Sequence, residues 1–252
     1  KLIPCTVSHD AEGREITGGS WRDPKVFDIS YLTDEYKWGM ALTDMEDQYL
    51  FLLKSNNLVD WEDAGYLRVY SNPECPDVFR LKTDNGENHT VITLSSRYYF
   101  VCDLGYENGK IIFKDPETGT KISALEATDK RLQKMDYGPD SYAAQTFYIE
   151  EGRYSGQTVG LSWFSGMPNA AGSVDSGSFR TARKGWNGGG VTIPVIYGLK
   201  KNAGYGYTLT ETPVVKDDPA FEKTQVTDYA SLKSHCVEIE AKIVNPTLEP
   251  VS

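Results

Sequence analysis

Three stretches of the chain repeat one local pattern, and that repeat constrains the fold more than any other feature. Arg22-Asp23-Pro24-Lys25-Val26-Phe27, Cys75-Pro76-Asp77-Val78-Phe79 and Ala144-Gln145-Thr146-Phe147 each end in a β-branched residue followed by Phe, at a spacing of roughly 50 to 70 residues. Such residues favour a pleated, half-buried surface, so the stretches read as the same strand in successive units. The unit length suits a four-stranded propeller blade with its loops. A plain β-sandwich would also use short strands, but without the unit repeat, so the propeller is the favoured reading.

Turn-bounded runs elsewhere support strands at 26–29, 38–43, 49–54, 78–81, 90–95, 98–103, 110–114, 145–149, 158–164, 191–199 and 207–210. Helical periodicity is confined to 218–233, a charged stretch that reads as a linker with a helical turn or two. Beyond it, Val237, Ile239, Ala241 and Ile243 alternate with Glu238, Glu240 and Lys242, the pattern of one half-buried strand.

Composition narrows the function classes. With 36 acidic against 26 basic side chains and a net charge of −10, the surface is unsuited to nucleic acid. Sixteen tyrosines, 23 glycines and 12 prolines favour short strands between tight turns and a polar ligand that stacks on rings. No apolar run approaches the ~18 residues of a membrane span, and the start lacks a signal-type apolar core. The chain therefore reads as soluble and already processed. Cys5, Cys75, Cys102 and Cys236 are scattered without metal-ligand spacing, and no cofactor is expected. The Asn88-His89-Thr90 sequon fits a secreted glycoprotein. His9, His89 and His235 lack a partner pattern and read as surface residues, and Gly188-Gly189-Gly190 reads as a tight turn before a strand.

Carboxylates at the starts of equivalent propeller strands converge although they are distant in sequence. Asp23, Glu74 and Asp136 occupy such positions. Two converging carboxyl groups are the minimum apparatus for cleaving a glycoside, one as proton donor and one facing the developing positive charge. Glu74 has Cys75 and Pro76 as neighbours, which suits a donor; Asp23 follows Arg22, which suits a permanent anion. Each carboxylate could equally be a solvated turn residue. Trp21, Trp38, Trp61, Trp163 and Trp186 could be sugar platforms or core.

Trp21-Arg22-Asp23-Pro24-Lys25-Val26-Phe27 resembles the R-D-P block of glycoside hydrolase family 32, the invertases, inulinases, levanases and fructosyltransferases. Glu74-Cys75-Pro76-Asp77-Val78-Phe79 resembles its E-C-P-D block, and Asp136-Tyr137-Gly138-Pro139-Asp140-Ser141-Tyr142-Ala143-Ala144-Gln145-Thr146-Phe147 its D-Y-G-x-D-F-Y-A-x-Q-T-F block. Weaker echoes are Leu58-Val59-Asp60-Trp61-Glu62, Leu161-Ser162-Trp163 and Gly185-Trp186-Asn187-Gly188-Gly189-Gly190-Val191-Thr192-Ile193-Pro194.

The resemblance implies an all-β chain of five-bladed β-propeller type, with about four blades present, followed by the first strand of a C-terminal β-sandwich. The corresponding domains are 1–217, a linker at 218–234, and 235–252. It implies retaining hydrolysis of β-fructofuranosides such as sucrose, inulin or levan without a metal. Glu74 takes the acid/base role and Asp23 that of transition-state stabiliser, with Arg22, Cys75, Asp136, Tyr142, Gln145 and Trp163 lining the substrate. The family's nucleophile lies in a W-M-N-D-P-N-G block that has no counterpart here, and its I-P-R-E-L becomes Ile193-Pro194-Val195-Ile196-Tyr197. The expectation is a chain that supplies the acid/base and stabiliser but not the nucleophile, with a companion chain or segment carrying the first blade and the rest of the sandwich. The alternatives are a catalytically inactive fructoside-binding relative and a fructosyltransferase. Polymeric fructans cannot enter cells, so an extracellular location is expected, with a cytoplasmic one if the substrate is phosphorylated sucrose.

Overall fold

In the computed structural model the described residues are 8–9, 15–16, 20–95, 97–137, 141–164, 190–202 and 206–214. The chain divides into two units, Lys1–Lys216 and Asp217–Ser252, and every described strand belongs to the first. The linker and terminal strand expected after residue 217 lie outside the described residues, as do Cys5, Trp186, Cys236 and His235.

Every described element is a β-strand. A short pair, β1 (Ser8–His9) and β2 (Glu15–Ile16), precedes three antiparallel meanders. The first comprises β3 (Trp21–Asp28), β4 (Trp38–Asp44), β5 (Tyr49–Ser55) and β6 (Glu62–Val69). In the second, β7 (Asp77–Lys82), β8 (Asn88–Leu94), β9 (Tyr98–Glu107) and β10 (Lys110–Lys114) are extended at the edge by β11 (Lys121–Ile122). The chain then returns over both sheets: β12 (Ala124–Leu125) pairs parallel with β6, and β13 (Gln133–Lys134) pairs with β9. The third meander is β14 (Ser141–Tyr148), β15 (Thr158–Phe164), β17 (Val195–Asn202) and β18 (Gly206–Pro213), with β16 (Gly190–Val191) on the end of β15. These are propeller blades, three of them among the described residues. The repeated stretches form β3, β7 and β14, the first strand of each blade.

Period-two alternation explains why the blades stack. On β5, Leu50 and Leu52 face the second blade, joining Val78, Ile92, Leu94, Phe100 and Phe113 in one core. Their neighbours Tyr49, Phe51 and Leu53 face the other way, packing with Met40, Leu42, Trp21 and Trp61. Between the second and third blades lie Phe79, Leu81, Val91, Tyr99 and Val101 against Tyr197, Leu199 and Tyr207. Central strands buried on both faces read as near-continuous apolar runs, as Tyr49–Ser55 does.

Local chemistry sets the turns. Asn108 (φ 51°) and Gly109 (φ 77°) both adopt left-handed conformations in the two-residue loop closing β9 onto β10, where Glu107 pairs with Lys110. This is the Asn-Gly hairpin whose twist matches that of the flanking strands.

One expectation is corrected. His89 is buried, with 6% of its surface exposed. It sits opposite Leu81 in the β7–β8 register, so it points with Leu81 into the interface between the second and third blades. There its ring lies 4.3 Å from that of Tyr207, and its Nδ1 is hydrogen-bonded to Asp103 at 2.8 Å.

The second and third blades also touch through Tyr197, whose ring stacks on Phe79 at 5.5 Å and covers Gly160 so closely that a Cβ there would collide with it. Gly160→Val is therefore expected to destabilise the protein by roughly 1–3 kcal/mol, the cost of overpacking a filled interface. Urea unfolding would read this as a lower midpoint at unchanged slope.

Candidate active site

The first strands of the three blades share more than their apolar pattern. Counting back four residues from Phe27, Phe79 and Phe147 reaches Asp23 (φ 60°), Cys75 (φ 49°) and Ala143 (φ 52°), all in the left-handed region. Each such conformation costs of the order of 1 kcal/mol for a non-glycine residue. On β3 and β14 it coincides with a bulge, between Arg22 and Lys25 and between Tyr142 and Gln145. Bulges re-aim side chains, and here those of Arg22, Glu74 and Tyr142, each just before the left-handed residue, meet one another.

Glu74 is the centre of that meeting. Its Oε1 accepts a hydrogen bond from Arg22 Nε at 2.9 Å and lies 2.9 Å from Arg22 Nη2. Its Oε2 accepts a hydrogen bond from the Tyr142 hydroxyl. Asn72 Nδ2 in turn donates to that hydroxyl at 3.4 Å. The Glu74 carbonyl receives the Ser95 backbone N–H at 2.7 Å and the Ser95 hydroxyl at 3.2 Å, which anchors the loop entering β7. Asp23 approaches the same guanidinium from greater distance. Its Oδ2 accepts the Cys75 backbone N–H at 3.0 Å and is 3.9 Å from Arg22 Nε. Arg22, read from sequence as the partner of Asp23, thus gives its closer contacts to Glu74 and also donates to Ser20 Oγ at 2.5 Å. The three charged side chains remain partly open to solvent, at 39%, 32% and 21% for Arg22, Asp23 and Glu74, as a site that admits a ligand must.

The Cys75 thiol is pushed up to about 12, first by burial and then by the negative charges of Asp23 and Glu74. It is a neutral S–H beside two carboxylates, slow to react while so enclosed. Burial likewise raises the Tyr142 hydroxyl, helped by its bond to Glu74, so it acts as a donor. Gln145 lies a layer further along β14, where its Oε1 accepts from Lys25 Nζ at 3.4 Å.

Asp136 is not brought to Glu74: it lines a cleft of about 450 Å³ with Ser141, Ser162, Thr192, Tyr197 and Glu211, and none of Arg22, Asp23, Glu74 or Tyr142 lines it. Trp163 is half exposed on β15, directly opposite Tyr142 in the register. Trp21 stacks on Phe51 at 4.6 Å and donates its indole N–H to Asp44 at 3.1 Å, and Trp61 packs beside it, so both serve the core. Sequence reading missed Asn72, Ser95 and Glu211. Only Ser95 carries a local signal, as a polar residue closing an apolar strand.

Blades whose inner strands deliver paired carboxylates joined by an arginine place the chain among the β-propellers with an acidic site. Residues 7–205 match the glycosyl hydrolases family 32 N-terminal domain, and the chain belongs to this family. It is 32% identical over 132 residues to a fructan beta-fructosidase of Streptococcus mutans, covering 52% of this chain and 8% of that protein. It is 26% identical over 164 residues to invertase 2 of Saccharomyces cerevisiae, covering 60% and 28%. Among solved structures, the exo-inulinase of Aspergillus awamori superposes with a TM-score of 0.54 at 25% identity, over 77% of this chain and 36% of that one. The fructofuranosidase of Schwanniomyces occidentalis complexed with fructose shares the fold, with a TM-score of 0.54 at 23% identity over 79% and 36%. The chain thus spans between 8% and 36% of the length of these relatives.

The cleft carries a pH signature. The Glu211 carboxyl is pushed up from 4.5 to about 7, first by desolvation against the cleft wall and then by Asp136. A folded-state value above the unfolded one means that the native protein holds the extra proton, so stability falls as pH rises from about 4.5 to about 7. Glu211 is an exposed residue at the cleft mouth, and solvent screening keeps this contribution small. Glu211→Gln is expected to flatten that part of the stability–pH curve, as measured by thermal unfolding at pH 5, 6 and 8.

Proposed function

We propose that this chain carries the acid/base and the transition-state stabiliser of a retaining β-fructofuranosidase acting on sucrose or on inulin- or levan-type fructans. The observation that carries this reading is the Asp23–Arg22–Glu74 arrangement: carboxylates from the heads of the first strands of two neighbouring blades, both within reach of one guanidinium. Glu74 is the proton donor to the leaving glycosidic oxygen. Two N–H groups on Oε1 and a phenol on Oε2 fix its carboxyl plane, and a general acid needs that placement first. Asp23, oriented by the Cys75 N–H, is the anion that binds fructose hydroxyls and faces the oxocarbenium-like charge. Arg22, Cys75, Tyr142 and Gln145 frame the fructosyl unit, Asp136 binds next to it, and exposed Trp163 offers a stacking face.

The covalent step needs a carboxylate about 5–5.5 Å from the acid/base in a retaining enzyme. In this reading it comes from a further segment or a companion chain that also completes the propeller and the sandwich. Secretion fits a polymeric substrate. A second reading is a fructoside-binding relative without turnover, which the same Asp23, Arg22 and Glu74 pocket would serve. Fructosyl transfer to sugar would use the same residues and differ only in the acceptor.

The test is fructose release from sucrose and inulin by the protein in its native assembly, with intact mass spectrometry to identify co-purifying pieces. Glu74→Gln is expected to lower the rate by roughly 10²–10⁴-fold while fructose still binds. Binding without release by the unmutated assembly would establish the second reading, and neither binding nor release would exclude both.

A further inference from the structure

Beneath the Arg22–Glu74 layer lies a second charged layer built to the same plan. Arg22 pairs with Glu74 and Asp23 accepts from Cys75, each across a 52-residue offset. Lys25 and Asp77 meet across the same offset: Lys25 Nζ is 2.8 Å from Asp77 Oδ1, and Asp77 is fully buried. The third blade joins at this point. Lys25 Nζ also donates to the Thr146 carbonyl at 3.1 Å and to Gln145 Oε1 at 3.4 Å, while the Thr146 backbone N–H donates to Asp77 Oδ2. One ion pair thus touches all three inner strands, two to four residues from Asp23, Glu74 and Tyr142.

We propose that Lys25 and Asp77 are positioning residues that set the separation of Asp23 and Glu74 and the approach of Tyr142 to Glu74. The inference rests on the reading of Asp23 and Glu74 given above, but its geometric core does not. Lys25 is carried by the strand of Asp23, Asp77 by the strand that Glu74 leads into, and Thr146 by the strand of Tyr142. On β3 and β14 the bulges at the left-handed residues between the two layers interrupt the pairing with the next strand of the same blade. The offset of one inner strand against the next is then held by the side chains that bridge them. A buried ion pair is worth little for stability against apolar replacement, so in this proposal its role is to specify one geometry, and a catalytic layer needs geometry held to well under an ångström.

Neutralising one partner strands a buried charge, so the decisive variant removes both: K25M/D77N, which keeps a side-chain oxygen at position 77 to accept the Thr146 N–H. K25R keeps a cation and serves as the conservative rescue. Cooperative thermal unfolding first establishes that each variant is folded. Two readouts then follow: affinity for free fructose, and the alkylation rate of Cys75, mapped by peptide mass, whose backbone N–H holds Asp23. In folded K25M/D77N, fructose affinity is expected to fall roughly 10- to 100-fold and the Cys75 rate to rise about tenfold as local opening becomes easier, with K25R near the unmutated protein in both. A folded double variant with unchanged affinity and unchanged Cys75 rate overturns the proposal. If the unmutated protein does not bind fructose, the fructoside reading fails, and the Cys75 rate alone decides whether the second layer holds the first.

Discussion

The guanidinium of Arg22 is shared, at 2.9 and 3.9 Å, by two carboxylates from the heads of neighbouring inner strands. Without it, Asp23 and Glu74 would be two uncompensated negative charges at the heads of neighbouring inner strands, and like charges so placed repel. With it, Glu74 is tied to β3 by two N–H contacts and to β14 by a phenol. Around the site the inner strands therefore meet through charged and polar side chains, while Val78, Phe79 and Leu81 further along β7 and the strands behind it supply the apolar contact between blades. That division allows a polar site on a protein whose blades are glued by Leu, Ile, Val and Phe.

The tyrosines show how the rest of the structure serves this arrangement. Their abundance reads from sequence as a surface for stacking ligands, yet many are spent internally. Tyr49 meets Tyr66 edge-on at 5.2 Å, and Tyr36 and Tyr106 enclose the buried ammonium of Lys54, 4.4 and 5.5 Å from their ring centres. Tyr99 donates its hydroxyl to Gln133 at 2.8 Å, pinning the returning segment to the second blade. A tyrosine buries a large ring and still satisfies its hydroxyl, which suits packed sheets whose loops must be held as firmly as their strands.

Much of the fold is legible because it is local. Alternation, Asn108-Gly109 and the β-branched-Phe repeat each act within a few residues, and strands lie where those signals stand. β6 escapes such reading. Glu62, Asp63 and Arg68 break its apolar pattern, and Gly65 takes a φ of 114° at a register shift against β5, so only pairing with β5 makes it a strand. His89 escapes for a related reason. Its burial follows from facing Leu81 and Tyr207, partners that no window around residue 89 contains.

The sequence by itself determined the class of fold and the inner strand of each blade, because both are written in short contiguous patterns, whereas Asp136, read as a third strand-head carboxylate, lies ahead of β14 in a separate cleft. Tertiary structure decided which charged residues are partners. Arg22 is the covalent neighbour of Asp23 yet makes its shorter contacts to Glu74, 52 residues away. Successive side chains on a strand are sent to opposite faces, and the left-handed turn at Asp23 re-aims them further. Stacking the next blade at a constant offset then delivers Glu74 to Arg22 and Asp77 to Lys25, a matching of charges that exists only once two sheets are packed face to face.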